Sequence, residues 1–369
     1  MKIIIVEHHS HYSGASSQRL LGYARTFVTM GHEVVMIISP QTPFPKNLSG
    51  IRLIEIKETR KNIIRCYYQF VRTIRNEYNN ESVLYFYEPQ AYSFLFRSSK
   101  FNVFSEQTEI PHFGYRASPL HRILEGITLF SMRHFSGVTV ISKGLKEYYL
   151  QKGIKTLEVI NMFVDSKRFE NLTISPVDKY IAYCGTISVR KDGVDSLIKA
   201  FDIFKKRYPE YKLYLIGQMD LLGAEDIIKK LIDERGLNDS VLFKGRINAD
   251  ELPSVLSGAR MLALARPNTI QAQYGFPTKL GEYLATGKPV VVTKVGEIPL
   301  YLRDGENAFL AEPGNVESFA EKLLEVEADY AHALKIGEKG RELVYSEFSS
   351  IVQSKKLLNF MNETIDKNK

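Results

Sequence analysis

Short apolar, β-branched runs alternate with helical patterns along this chain, and the alternation limits the fold more than any other feature. In the first half the runs are Lys2–Val6, Glu33–Ile38, Val83–Tyr87, Asn102–Phe104 and Gly137–Ile141. In the second half they are Lys179–Cys184, Lys212–Ile216, Ser240–Lys244, Met261–Leu264 and Pro289–Thr293. Buried strands separated by helices indicate parallel sheets that are covered on both faces. We therefore predict an α/β protein with two Rossmann-like domains.

The length of 369 residues is too great for one core and suits two. A polar segment, Asp165–Asp178, lies between the two series of strands, and we place the linker there. The predicted domains are residues 1–165 and 166–349, followed by a final helical stretch, Ser350–Asp366. Open parallel sheets bind ligands beyond the carboxyl ends of their strands. Two such domains facing one another would form a cleft lined by the functional residues.

The formal net charge is +7, and the positive surplus lies in the first half of the chain. Its densest part, Lys57–Arg75, alternates basic with apolar residues. This pattern predicts a basic amphipathic helix, either bound to an anionic membrane surface or simply solvated along its basic face. Nucleic acid is not predicted as a partner, because no nucleic-acid motif accompanies the charge.

The chain has no apolar window of the length that a membrane span needs and no signal-peptide pattern. We therefore expect it in the cytoplasm or at the inner face of the membrane. Its two cysteines, Cys66 and Cys184, are too few for a disulfide framework or a zinc cluster.

The loop predicted after the opening strand, residues 7–17, contains Gly14 and leads into a helix. Free backbone N–H groups at such a junction can bind an anion, although a plain connecting turn is the alternative. The loop lacks G-x-G-x-x-G, which disfavours a dehydrogenase. Three histidines here, His8, His9 and His11, have no spacing that fixes a metal geometry, so no metal site is predicted.

A second strand, loop and helix junction runs from Gly185 to Gly193. Arg190 and Lys191 place cations at a helix N-terminus, where the macrodipole disfavours them. A diphosphate ligand would neutralise them, with Thr186 and the loop amides completing the site. One of the two cations could be merely solvated, and Lys191 is the favoured ligand.

The most informative block is Tyr274–Thr293, in which a turn with Gly275 and Pro277 precedes a short helix. Glu282 on that helix can accept hydrogen bonds from two vicinal hydroxyls, such as those of a ribose. Lys279 and the helix N-terminus would then lie on the phosphate side of the nucleotide. A surface glutamate is the alternative, which the apolar residues around Glu282 disfavour.

These blocks, together with Val159–Asp165, resemble the group 1, or family 4, retaining glycosyltransferases of the GT-B fold. The resemblance covers nearly the whole chain and is strongest from Val159 to Pro313. It implies that Glu282 holds the donor ribose, that Lys191 meets the diphosphate, and that the final helix packs back on the first domain. The donor-binding residues predicted in this way and from the loops above are Gly14, Gly185, Thr186, Arg190, Lys191, Gly245, Arg246, Ile247, Tyr274, Gly275, Phe276, Pro277, Thr278, Lys279 and Glu282.

Two positions depart from the family pattern: a frequent first glutamate falls on Tyr274, and a frequent arginine falls on Thr186. Arg266 could supply a compensating cation. Lys191, Arg266 and the helix N-terminus at Thr278 are suited to stabilise a departing diphosphate without a metal. The absence of an Asp-x-Asp motif makes divalent-metal catalysis unexpected.

Two carboxylates of the first domain, Glu106 and Glu109, follow a strand and are candidates to orient or deprotonate the acceptor hydroxyl. Either could instead cap the turn before Pro111.

Three functions fit these features. The leading one is sugar transfer with retention, without a cofactor, from a UDP- or GDP-sugar to a glycan or lipid-linked acceptor in cell-surface polysaccharide synthesis. The second keeps the nucleotide-sugar site but performs other chemistry, as an epimerase or phosphorylase. The third is a non-catalytic or degenerate nucleotide-sugar-binding partner in a membrane-associated assembly, which Thr186 and Tyr274 keep open.

Overall fold

The structure is a computed structural model that describes residues 1–12, 14–45, 47–57, 63–97, 99–110, 119–170, 172, 179–220 and 223–367. The chain forms two compact units, Met1–Met162 with Ser350–Lys369, and Phe163–Ser349. Half of the predicted linker, the start of the predicted basic helix at residues 58–62, and the turn at Pro111 lie outside the described residues. None of the helices in the described ranges is both long and apolar enough to cross a bilayer.

The first unit contains a parallel sheet of seven strands among its described residues. They are Lys2–Ser10 (β1), Glu33–Pro40 (β2), Ile51–Glu55 (β3), Ser82–Tyr87 (β4), Asn102–Gln107 (β5), Gly137–Val140 (β6) and Leu157–Val159 (β7). Their order across the sheet is β3-β2-β1-β4-β5-β6-β7, and every neighbouring pair is parallel. The strand order reverses beside β1, which places the ends of β1 and β4 at the usual ligand position of such sheets.

Helices cover this sheet because each presents one apolar stripe to it. The described helices are Ala15–Thr29 (α1), Ile63–Glu77 (α2), Pro119–Met132 (α3), Lys143–Gln151 (α4), the C-terminal helix Ser350–Lys367, and a 3-10 helix, Ala91–Phe96. In α1 the residues Leu20, Tyr23 and Phe27 recur on one face and are fully buried or nearly so. The C-terminal helix packs against α1.

The second unit has a parallel sheet of six strands, again counted over the described residues. They are Tyr180–Cys184 (β8), Lys212–Ile216 (β9), Val241–Gly245 (β10), Met261–Leu264 (β11), Val290–Thr293 (β12) and Phe309–Ala311 (β13), in the order β10-β9-β8-β11-β12-β13. The strand order reverses at β8 and β11, so the loops after these two strands lie side by side. The two parallel sheets confirm the predicted fold class.

Short helices surround this second sheet. They are Val189–Asp192 (α5), Val194–Lys205 (α6), Ala224–Glu234 (α7), Leu252–Gly258 (α8), Ile270–Tyr274 (α9), Lys279–Ala285 (α10), Ile298–Tyr301 (α11), Val316–Ala328 (α12) and Tyr330–Ser346 (α13), with a 3-10 helix at Ser166–Phe169. The strand β11 is wholly apolar, and β12 has three valines before Thr293. Both strands are buried along their whole length, as central strands covered on both faces must be.

The structure corrects the predicted elements in two places. Three edge strands were missed. The strands β7 and β13 have only three residues each, and the apolar pattern of β3 is interrupted by Arg52 and ends at Glu55. The loop predicted at residues 7–17 is shorter, since β1 continues to Ser10 and α1 begins at Ala15. The predicted strand ended too early because Glu7 is a charged residue. In the structure Glu7 lies inside β1, is buried and accepts a hydrogen bond from the Ser17 hydroxyl.

Candidate active site

Two glycines allow the loop after β8 to lie close to its neighbours in the second unit. Gly185 has φ +154°, a backbone conformation that residues with a side chain rarely adopt, and its added Cβ would meet the flexible end of Lys279. Gly193 has φ +64° and its added Cβ would collide with the carbonyl oxygen of Ala265. The positive φ therefore favours glycine at both positions, and at Gly193 the fixed backbone of Ala265 also excludes a side chain.

Asp192, at the end of α5, is the centre of the charged groups in this loop. Its carboxylate is almost fully buried, accepts a hydrogen bond from the Tyr183 hydroxyl at 2.7 Å, and pairs with the Lys279 ammonium. Nε of Arg266 lies 3.8 Å from its other oxygen. Burial alone would raise the pKa of Asp192, but Lys279 and then Arg266 outweigh it and lower the pKa below its usual value. The carboxylate therefore stays charged and holds two cations side by side.

Lys279 keeps some access to solvent, because its side chain is 18% exposed. An ammonium has three protons to donate. One goes to Asp192, and the Tyr183 hydroxyl lies 3.4 Å from the same nitrogen. The third can reach a ligand. Lys191 and Arg266 both lie close enough to act on Lys279 electrostatically, so the positive charge here is concentrated.

Glu282 lies three residues after Lys279 on the same face of α10. Its Oε1 accepts a hydrogen bond from Nη1 of Arg168 at 3.1 Å, and Arg168 also donates to the carbonyl of Ala249. Burial raises the pKa of Glu282, and the charge of Arg168 opposes that rise. No sequence pattern points to Arg168, which lies in a short 3-10 helix within the predicted linker.

The neighbouring residue, Tyr283, fixes the position of α10 against the end of β8. Its hydroxyl accepts a hydrogen bond from the Cys184 N–H at 2.6 Å and donates one to the Cys184 carbonyl at 3.1 Å. Since Gly185 follows Cys184 directly, this pair of bonds sets the distance between the glycine loop and the helix that carries Lys279 and Glu282.

The remaining residues predicted on the Gly185–Gly193 loop differ in exposure. Thr186 and Arg190 are exposed, and Lys191 is half-buried. Ser188 caps the short helix, since its hydroxyl accepts from the Lys191 N–H at 3.2 Å. The structure thus brings Gly185, Lys279 and Arg266 together through Asp192, a residue that the sequence analysis did not select.

The turn before α10 places its side chains differently from the prediction. The ring of Phe276 is buried against Tyr301 and Phe348, with centroids 5.6 Å apart in both pairs. A donor contact of Phe276, as predicted, would therefore have to come from its backbone. Pro277 is buried as well, while Tyr274, Gly275 and Thr278 are half-buried.

The predicted donor-binding residues Gly245, Arg246 and Ile247 lie at the end of β10, an edge strand two places from β8. Gly245 ends the strand with φ +64°, and its carbonyl accepts from the Gly217 N–H at 2.8 Å. Arg246 is exposed and Ile247 is half-buried. They belong to the carboxyl-end loops of the same sheet as Gly185.

Gly14, the remaining predicted donor contact, belongs to the first unit and precedes α1. Its N–H donates to the carbonyl of His11 at 2.7 Å. The buried Glu7 carboxylate accepts from the Ser17 hydroxyl in the first turn of this helix, at 2.8 and 3.0 Å. A carboxylate beside the helix N-terminus already satisfies the dipole there, which argues against a bound anion at this loop.

The structure corrects the role predicted for Glu106. Its side chain is completely buried and accepts from Nε and Nη2 of Arg19 at 2.9 and 2.6 Å and from the Tyr23 hydroxyl at 3.2 Å. A carboxylate closed in this way cannot reach an acceptor hydroxyl. Glu109, the other candidate, is exposed and lines a cavity in the first unit.

Comparison with known proteins identifies the family. The model of the family described as glycosyl transferases group 1 matches residues 165–343, which include the whole Gly185–Gly193 loop and α10. The matched residues belong to the group 1 glycosyl transferase family. The chain is 25% identical over 239 residues to N-acetyl-alpha-D-glucosaminyl L-malate synthase of Bacillus anthracis, a match covering 62% of this chain and 59% of that relative.

Solved structures match this chain over nearly its whole length. Sucrose-phosphate synthase from Thermosynechococcus elongatus is 18% identical with a TM-score of 0.77, covering 99% of each chain. Anabaena HepE, solved in complex with UDP, is 18% identical with a TM-score of 0.74, covering 98% of this chain and 100% of its own. The chain spans only 50% to 61% of the length of the first curated relatives that it matches.

Proposed function

We propose that the chain transfers a sugar, with retention of configuration, from a UDP- or GDP-sugar to a glycan or lipid-linked acceptor in cell-surface polysaccharide synthesis. This proposal rests on one observation: Lys279 and Glu282 lie on the same face of α10. Lys279, held by Asp192, presents a cation suited to a diphosphate. Glu282, oriented by Arg168, presents a carboxylate suited to a ribose diol. The UDP in the Anabaena structure supports a donor of this class.

The positive groups of the loop would stabilise the departing diphosphate. Its negative charge grows as the bond to the sugar breaks, and fixed cations that are already in place lower the barrier to that step. Lys279 donates its third proton, while Lys191 and Arg266 add positive charge nearby. Because the chain itself supplies these cations, the proposed transfer needs no divalent metal. Retention of configuration rests on the family alone.

Contact with an anionic membrane is the second part of the proposal. Helix α2 buries Cys66, Phe70 and Ile74 on one side. On the other side Ile64 and Tyr68 are 78% and 63% exposed, next to basic residues of the same helix. Such a face suits an interfacial helix at the inner face of the membrane. Cosedimentation with vesicles containing phosphatidylglycerol, but not with phosphatidylcholine vesicles, is the expected result.

The donor site is tested by thermal unfolding with UDP, GDP, ADP and their sugar conjugates. A ligand at about 100 times its dissociation constant adds about 2.7 kcal/mol to the free energy of unfolding, which is a clear shift in melting temperature. We expect UDP or GDP compounds to stabilise the wild type, and Glu282→Ala to lose that shift. Glu306→Ala, which removes an exposed carboxylate of the same unit, should retain it.

If no nucleotide stabilises the wild type, the donor site is degenerate and the non-catalytic partner function takes the place of this proposal. If a nucleotide binds, the sugar conjugate is incubated with candidate acceptors and the anomeric configuration of the product is read by NMR. A product of inverted configuration would refute retention. Activity that EDTA abolishes would refute metal independence.

A further inference from the structure

One edge of the second sheet has no neighbouring strand among the described residues. Strand β10 lies at that edge and pairs, in parallel, with β9 alone. The N–H of Leu213 in β9 donates to the carbonyl of Ser240 at 2.8 Å. The backbone groups of successive residues in a strand point alternately to its two sides. The N–H and the carbonyl of Phe243 therefore point away from β9 and can pair with another strand.

The side chain at this free edge is apolar and exposed. Phe243 is 42% exposed and borders a groove of about 320 Å³ beside helix α7. Two buried residues, Ile232 and Val241, line the inside of the groove, and the exposed residues Lys229 and Asp233 line its outside. An aromatic ring from another molecule can cover such a groove and stack beside Phe243.

Lysine commonly protects an edge strand from pairing, and β10 contains one, Lys244. Its ammonium lies 4.6 Å from the centroid of the Tyr214 ring, which belongs to β9. Side chains alternate between the two faces of a strand, so Lys244 lies on the face opposite Phe243. Its charge is directed toward its own sheet, and the face that carries Phe243 stays open.

The charges beside the groove suit a second copy of the same chain. Lys229 and Asp233 lie on α7 two residues before and two residues after Leu231. If two α7 helices pack antiparallel about a twofold axis near Leu231, Lys229 of each copy lies beside Asp233 of the other. Lys229 already pairs with Glu225, but both side chains are more than half exposed, and such a pair contributes little. Exchanging it for a contact with the second copy therefore costs little.

The strand and the helix permit the same twofold arrangement. Antiparallel pairing at Phe243 brings the two rings side by side on the face that carries α7. Helix α7 connects β9 to β10, and a crossover helix lies over the strands that it connects. Because neighbouring strands are about 4.8 Å apart, the two α7 helices would lie about 10 Å apart, a distance at which helices pack.

We propose that two copies of this chain associate through β10 and α7 about a twofold axis, which makes their second sheets continuous. The two strands exchange hydrogen bonds at Phe243, and each Phe243 ring covers the groove of the other copy. Lys229 of each copy pairs with Asp233 of the other. This inference is independent of the proposed sugar transfer, since none of these residues belongs to the candidate active site.

Sedimentation velocity of the full chain over roughly 1–100 µM measures the association, and we expect the wild type to form a dimer in this range. Phe243→Glu places two carboxylates opposite each other at the axis and should weaken the dimer roughly tenfold or more. The control is Leu300→Glu, which replaces an exposed apolar residue of the same unit outside β10 and α7 and should leave the dimer unchanged.

Charge reversal tests the twofold arrangement itself. Lys229→Glu makes both repeats of the contact repulsive, and so does Asp233→Lys, so each variant alone should dimerise roughly tenfold more weakly than the wild type. A mixture of the two variants should form heterodimers with about wild-type affinity, because both contacts regain opposite charges. Lys230→Glu, which reverses the next lysine of α7 outside the groove, should dimerise like the wild type.

A wild type that stays monomeric up to roughly 100 µM would overturn the inference. A dimer that Phe243→Glu leaves unchanged would do the same, as would a mixture of the two charge variants that associates no better than either alone. Circular dichroism checks that each variant is folded. If Phe243→Glu does not fold, the mixture decides the question, because both of its substitutions change exposed residues of α7.

Discussion

Each unit contains a buried ion pair whose carboxylate also accepts a hydrogen bond from a tyrosine hydroxyl, and the two pairs differ in their access to solvent. In the first unit Arg19 pairs with Glu106, which also accepts from Tyr23. In the second unit Lys279 pairs with Asp192, which also accepts from Tyr183. The composition of the two groups is nearly the same, a cation, a carboxylate and a phenol.

The first pair is closed. The Arg19 guanidinium donates to Glu106 and to the carbonyls of Ile160 and Asn161, and both charged side chains are at most 3% exposed. The second pair is open on one side, because Lys279 is 18% exposed and can donate once more. A buried charge therefore does not by itself indicate a functional site. The second pair differs because its cation, Lys279, is held by the buried Asp192 carboxylate and still has access to solvent.

The largest effect that separates the two pairs is expected from Arg19→Met. Removing one partner leaves the Glu106 carboxylate buried and uncompensated, which costs about 3–5 kcal/mol of the free energy of unfolding. Urea unfolding measures the loss. Arg52→Met breaks an exposed pair with Glu77 and should cost no more than about 1 kcal/mol.

A second variant tests whether the loss of stability comes from the uncompensated charge of Glu106. Arg19→Met combined with Glu106→Leu removes both charges and should recover much of the lost stability, since apolar replacements of buried pairs are often tolerated. If Arg19→Met is no more destabilising than Arg52→Met, the first pair is not the closed structural pair described above.

Lys279→Met should reduce nucleotide affinity strongly and the free energy of unfolding only moderately. Asp192 keeps the Tyr183 hydroxyl and the nearby Arg266, so the loss of stability should be smaller than for Arg19→Met. Nucleotide affinity should fall roughly tenfold to a hundredfold, because a hydrogen bond to a charged group contributes about 1.5–3 kcal/mol. Calorimetry with UDP and GDP measures it. Lys294→Met, which removes an exposed lysine of the same unit, should leave affinity unchanged.

This comparison also separates what the sequence can predict from what it cannot. Periodicity located the central strands such as β11 and β12, because burial on both faces forces a continuous apolar run. It also placed Lys279 and Glu282 on one short helix. Glu106 was selected for the acceptor on the same grounds, as a carboxylate after a strand, and the structure shows it closed by an arginine 87 residues away.

The decisive partners in the second unit are equally remote in sequence. Lys279 and Asp192 are 87 residues apart, and Arg168 and Glu282 are 114 apart. Local pattern carries no information on such pairs, because they depend on which loops the sheet order brings together. The burial of the Phe276 ring could not be predicted for the same reason, since its aromatic neighbours Tyr301 and Phe348 follow it by 25 and more residues.

The pH dependence of stability should have opposite signs for two carboxylates of the second unit. The pKa of Asp192 is lowered below 3.8, so its stabilising contribution is complete above about pH 4 and is lost as pH falls through the folded pKa. The pKa of Glu282 is raised above 4.5, so stability is lost as pH rises from about 4.5 to the folded pKa.

Unfolding at a series of pH values, measured against a neutral variant of each residue, tests this pair of signs. The advantage of the wild type over Asp192→Asn should shrink on acidification. The wild type should lose stability relative to Glu282→Gln as pH rises above about 4.5. Slopes of the same sign would mean that Asp192 is not held charged by Lys279 and Arg266.

The smallest effect is expected from Arg168→Met, which removes a positioning residue and no predicted ligand contact. Glu282 is 24% exposed and can be solvated without Arg168, so the chain should remain folded and nucleotide affinity should fall only about twofold to fivefold. Because Arg168 opposes the rise in the pKa of Glu282, its loss should raise that pKa further. Nucleotide binding should then fail at a higher pH than in the wild type as the solution is acidified, since a protonated Glu282 accepts the ribose hydroxyls less well. Arg303→Met, an exposed arginine of the same unit, is the control. A pH profile of Arg168→Met that coincides with the control would show that Arg168 does not act on the ligand through Glu282.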